Sequence, residues 1–189
     1  AGQGFWRFLD PRPLVHGRDC NSTDNDGLGD YSDPYAVPLG GSAQLIVLDT
    51  SKTTYKGLAP DDIRRERYAD AYRKFDALSR GAQYTIGLTH HPILAFGAAT
   101  NTAGVVTLFG GDAGLQDAFG AINPGLLPAG VSAMLSGHVH LWEQVSFSSG
   151  HPTQFVAGFS GTEEDSIPLP ATAQADLMPA PGAIVEHMS

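Results

Sequence analysis

Cysteine, positive charge and long apolar runs are all scarce in this chain. Its 189 residues include a single cysteine, Cys20, so no disulfide can close within it, and that thiol is either free or bridged to something outside the sequence. With 11 Lys and Arg against 20 Asp and Glu the formal net charge is -9, which argues against electrostatic capture of nucleic acid. The densest basic stretch, "RRERY" at 64–68, falls in a helical pattern and reads as a solvated face. No run approaches the roughly twenty apolar residues that a membrane span needs. A signal peptide is not recognisable either, and because the sequence opens on Ala1 rather than Met, processing or truncation upstream stays open.

What is present suits one globular domain spanning 1–189: 42% hydrophobic and 16% charged residues are the proportions of a chain that buries a core of its own. Three aromatics, Phe5, Trp6 and Phe8, crowd the start and read as packing residues. The stretch "NSTDNDGLGDYSDPY" at 21–35 is rich in turn formers. "AQLIVLD" at 43–49 predicts a buried strand. A helix is predicted over 60–80, with Pro60, Asp61 and Asp62 at its start and Gly81 past its end. Its apolar face would carry Ile63, Tyr68, Ala71, Tyr72, Phe75 and Leu78 against a sheet. Strands are predicted at 83–88, 105–109, 131–136, 141–147 and 153–159, with a short helix over 112–119. From about 163 the sequence is Pro- and Ala-rich, and 163–189 predicts an irregular end.

Two histidine clusters each follow an apolar strand: "THHP" at 89–92 and "SGHVH" at 136–140. Imidazole suits zinc, iron and manganese, and histidines at i and i+2 in extended backbone project to one side, which pairs His138 with His140. Gly137 would let the backbone turn sharply there. In open α/β sheets ligands gather at the carboxyl ends of strands, where both clusters fall. Pro92 disfavours helical backbone at His91, so the chain should leave its strand as an extended loop.

Two other patterns compete. His138, His140, Glu143 and Gly150 approach a cupin motif, with Glu143 one position early and no second motif following. A cupin is also an all-β barrel, which the helix at 60–80 opposes. Asp24, Asp26, Gly27 and Asp33 approach the positions of a calcium loop, but Ser22 replaces its first acid and Asp33 its long glutamate, which favours a solvated turn.

The two histidine clusters, some fifty residues apart, resemble the last two motifs of the calcineurin-like metallophosphoesterases, the superfamily that includes purple acid phosphatases. That resemblance implies an α/β fold, part of an α/β/β/α sandwich of two mixed sheets faced by helices. It implies His90 and His138 as ligands of one metal and His140 of the other, with His91 behind the ligands or facing substrate. The complete enzyme would hold two divalent or trivalent ions, Zn, Fe or Mn, and hydrolyse a phosphate mono- or diester.

The family's Asp-x-His and Gly-Asn-His motifs have no match, and "GDYSD" at 29–33 copies the letters of its Gly-Asp motif inside a polar loop, as a coincidence. The resemblance therefore implies a C-terminal half that starts after the Gly-Asn-His motif. Its bridging aspartate, asparagine and general-acid histidine would lie upstream, so no catalytic residue is assigned in this chain, which would bind one metal or none and be inactive alone. The alternative is a phosphoesterase-like scaffold that binds without turnover. Half of a two-sheet core should also expose sheet edges through which copies pair. A bridge from Cys20 to an upstream cysteine would favour an exported or periplasmic enzyme.

Overall fold

The computed structural model describes residues 32–161, 165 and 178–189. The chain divides into two compact units, Ala1–Asp33 and Pro34–Ser189, and the fold described is that of the second. The expectations for Phe5, Trp6, Phe8, Cys20 and most of the acidic stretch at 22–33 lie outside the described residues.

Among the described residues, eleven elements run in the order β1 (Tyr35–Gly40), β2 (Ala43–Val47), α1 (Ile63–Ser79), β3 (Tyr84–Thr89), β4 (Phe96–Thr100), β5 (Val106–Gly110), α2 (Ala113–Gly120), β6 (Val131–Ser136), β7 (Trp142–Phe147), β8 (Thr153–Ala157) and β9 (Val185–Met188). Seven strands form one mixed sheet in the order β1-β2-β3-β6-β8-β7-β9, and β4 and β5 form a separate hairpin. Strands β2, β3, β6 and β8 are mutually parallel, while β1, β7 and β9 join antiparallel. The class is α/β, as the sequence predicts.

Helix α1 begins where Asp62 caps it, the carboxylate accepting from the Arg64 N–H at 2.9 Å. The neighbouring Arg64 guanidinium holds the Asp62 carboxyl down at about 2. The helix buries Tyr68, Tyr72, Phe75 and Ser79, four, three and four residues apart, on one stripe. Ile63, expected on that face, is 45% exposed, because it occupies the first turn beyond the sheet's cover. A Cβ added at Gly87 of β3 would meet the Met134 sulfur and the Phe75 ring, so the helix seats its aromatic where the strand has no side chain. Helix α2, capped by Asp112, packs on α1 through the Tyr72 and Phe119 rings, 5.0 Å apart.

Among the described residues, the other face of the sheet carries exposed apolar side chains. Tyr84, Leu135 and Trp142 on it are each exposed, and Leu88, Leu135, Trp142 and Phe155 border one shallow depression there.

Three strands were not anticipated. Strand β1 is an edge strand containing Pro38, which an edge tolerates. Strand β4 is "FGAAT", whose central Gly97, Ala98 and Ala99 are residues depleted in strands. Strand β9 lies in the segment predicted to be irregular, and pairs with β7. It corrects that expectation: four residues suffice once an existing strand offers a free edge.

Candidate metal centre

The register of the sheet brings the two histidine clusters together. Strands β3 and β6 are parallel neighbours, with Thr89 opposite Ser136 as their last pair, and the two hydroxyls meet at 2.9 Å. The next residues on each strand, His90 and Gly137, therefore leave the sheet side by side, and the Gly137 N–H donates to the His90 carbonyl at 3.1 Å. Strand β2 is the neighbour on the other side of β3. Just past its end the buried Thr50 hydroxyl oxygen accepts from the His90 and His91 N–H groups, at 3.2 and 3.0 Å.

His90, His91 and His138 form one group whose nitrogens lie within 4.8 Å of one another. His138 Nδ1 is 3.3 Å from His90 Nε2. Two nitrogens on one tetrahedral ion, each at about 2.0–2.1 Å, stand about 3.3–3.4 Å apart, so this pair has the spacing of two ligands of a single zinc-like cation. Coordination needs neutral rings. Burial, with a smaller push from His90, lowers the His138 pKa.

His91 differs from that pair. Burial, then the neighbouring His138 and His90 rings, push it down to about 4, so it is neutral at pH 7. Its Nδ1 lies 3.3 Å from the Thr50 hydroxyl. That oxygen already accepts two backbone N–H groups, so its proton is the group available to Nδ1. Assigned from this hydrogen-bond inventory, the His91 tautomer carries its proton on Nε2 and presents an N–H donor instead of a lone pair.

His138 has φ of 68°, a left-handed conformation that costs a non-glycine residue roughly 1–2 kcal/mol. The expected sharp turn therefore falls on His138 and not on Gly137. Its neighbourhood is tight: a Cβ on Gly158 would come within 2.0 Å of the Val139 carbonyl oxygen. The same turn separates the expected pair. Side chains at i and i+2 share a side only in extended backbone, and with His138 left-handed, His140 lies outside the three-histidine group. Its backbone N–H donates to Asp165 at 2.9 Å. His140 is nonetheless near enough to His138 to help lower that ring's pKa.

Asp49 accepts from the Ser51 N–H and hydroxyl, at 3.0 and 2.7 Å, in a local turn. Glu143, the acidic residue of the cupin pattern, is buried and takes the Phe96 N–H on both oxygens, away from the histidines. Parallel strands and two helices likewise exclude a cupin barrel for the described unit. His151 is held by Ser149 at 2.9 Å, and His187 sits on edge strand β9 opposite Ser146. Thr50 and Asp112 were missed. The signal for Thr50 is its place just past the end of the strand predicted at 43–49.

No family model and no curated protein matches the sequence. Among solved structures the chain is similar to "GAP50 the anchor in the inner membrane complex of Plasmodium", at 17% identity with a TM-score of 0.42, over 73% of this chain. The chain spans 41% of that protein's length, and a likeness this slight bears on neither fold nor function.

Proposed function

We propose that the strand-end histidines are part of a metal centre for hydrolysis of a phosphate mono- or diester, of the calcineurin-like metallophosphoesterase kind. The observation that carries this reading is the 3.3 Å approach of His90 Nε2 and His138 Nδ1, from motifs that resemble that family's, at neighbouring parallel strand ends. The exposed apolar side chains on one face of the sheet, described residues Tyr84, Leu135 and Trp142 among them, support it too, since a sandwich of two sheets buries such a face.

In this reading His90 and His138 hold one cation. His91 offers its Nε2–H to a phosphoryl oxygen, and Thr50 fixes the His91 tautomer and the His90–His91 backbone turn. The cation supplies charge neutralisation at the phosphoryl group and a lowered pKa for water. His140 is assigned to a second cation, Zn, Fe or Mn, whose other ligands would come from acidic and amide residues outside the group described.

A non-catalytic scaffold is the second reading, favoured by the all-histidine group itself, which among the described residues includes no carboxylate. Calorimetric titration of the metal-free chain with zinc, followed by assays with p-nitrophenyl phosphate and bis(p-nitrophenyl) phosphate, separates the two. The phosphoesterase reading expects zinc binding that His90→Ala and His138→Ala abolish and His91→Ala weakens less, together with hydrolysis that depends on metal. Zinc binding with neither ester hydrolysed favours the scaffold, and absence of zinc binding refutes the centre.

A further inference from the structure

Beside the histidines lies a cavity of about 150 Å³, bordered by His91, His138, Tyr55, Phe96, Phe109 and Asp112. An apolar cavity of about this size in another protein stays dry and takes up benzene, so the space matches one six-membered ring. Its aromatic wall is built by the hairpin. Gly97 and Phe109 are directly opposed on β4 and β5, and a Cβ on Gly97 would lie 2.4 Å from the Phe109 ring. The ring thus lies across the bare backbone of its partner, with Tyr55 5.9 Å away between centroids.

The polar end is Asp112. Its Oδ1 accepts from the Thr53 hydroxyl at 2.5 Å and from the Leu115 N–H at 2.8 Å. The residue is 3% exposed, and Oδ2 is buried without a hydrogen-bond partner. A buried acceptor left unsatisfied costs about 1–3 kcal/mol, so a donor entering the cavity would recover what the fold gives up. Capping helix α2 requires one oxygen, and it leaves the second for a ligand.

We propose that this cavity is a binding site for a single planar ring bearing an N–H or O–H donor, the ring packing on Phe109 and Phe96 and its donor meeting Asp112 Oδ2. As the organic group of a phosphoester whose phosphate reaches the histidines, this deepens and rests on the phosphoesterase reading. As a ring-binding site it stands without metal.

The test uses the metal-free chain at pH 8, with binding of aniline, a donor, and benzonitrile, an acceptor of similar size, followed by ligand-observed NMR. Wild-type protein should bind aniline about tenfold or more tightly than benzonitrile, as a hydrogen bond to a charged group implies. Asp112→Asn keeps the cap. Because Thr53 and Leu115 need the amide oxygen, its NH2 takes the place of Oδ2, and the preference should reverse. Phe109→Ala, on the exposed hairpin, should weaken both ligands at least severalfold. No ring binding, or equal binding of the two ligands in wild type and Asp112→Asn, overturns the proposal. Ring binding and reversal in a chain that hydrolyses no ester keeps the site and removes the phosphoester reading.

Discussion

Glu143 makes the stability of this protein depend on pH in a direction opposite to acid denaturation. The side chain is 3% exposed on β7, and both its oxygens accept the one Phe96 N–H, at 3.0 and 3.2 Å. Burial raises its pKa from 4.5 to about 7, against the opposing effect of the Phe96 bond. The folded state therefore binds this proton more tightly than the unfolded state. Stability from it is complete below pH 4.5, falls between 4.5 and about 7, and is lost above that. At 1.36 kcal/mol per pH unit the loss amounts to about 3 kcal/mol. His91, with its pKa pushed down to about 4, acts in the reverse sense, because protonation between pH 6.5 and 4 favours the unfolded chain. The raw urea profile mixes the two, and Glu143→Gln isolates one of them. The amide keeps an acceptor for Phe96 and cannot ionise, so wild type minus variant cancels His91 provided the sites are independent. Urea midpoints at unchanged m, taken from pH 4.5 to 8, should show the variant about equal to wild type at pH 4.5 and about 2–3 kcal/mol more stable at pH 8. A difference that stays flat across this range would refute the assignment of a buried, proton-holding carboxyl.

Two further substitutions probe the turn that presents His138. Gly158→Ala puts a methyl group against the Val139 carbonyl, at 2.0 Å from an unrelaxed Cβ, and should cost about 1–3 kcal/mol as an overpacking change, measured by the same urea midpoints. It should also weaken zinc binding, since the atoms it displaces belong to the His138 turn. His138→Gly removes the left-handed strain and should raise stability by about 0.5–1 kcal/mol while abolishing zinc binding, which calorimetry and melting of the same sample can report together.

The parts of the fold legible from sequence were those in which local pattern and tertiary role coincide. Strand β6, "VSAMLS" at the middle of the sheet, is mostly apolar and matches its predicted bounds of 131–136. Helix α1, Ile63–Ser79, begins three residues inside its predicted 60–80 because Asp62 is the residue that supplies the capping oxygen. Strands β1, β4 and β9 were hidden for a shared reason. Each owes its conformation to a partner strand instead of to its own side chains, and Pro38, the Gly97–Ala98 pair and the Ala–Pro approach to Val185 all point away from strand when read locally.

For the site, residue type and strand position were enough to bring His90 and His138 together, since both follow apolar runs that proved to be parallel neighbours. Projecting His140 to the same side as His138 required extended backbone through His138, and the left-handed φ there breaks that geometry. No propensity marks such a residue, because the strain is held by contacts remote in sequence: the Gly137 N–H on the His90 carbonyl and the close passage of Gly158. Thr50 was out of reach for a related reason. A threonine after a strand is ordinary, and its role appears only when the parallel register sets its hydroxyl against the two backbone N–H groups and ring of the His90–His91 turn. One hydroxyl thereby fixes the turn of the upstream cluster and the tautomer of His91, while a single strained residue, His138, presents the downstream imidazole. That economy makes the centre depend on the spacing of three strand ends, so a slip of one residue between β3 and β6 would separate His90 from His138 without altering either side chain.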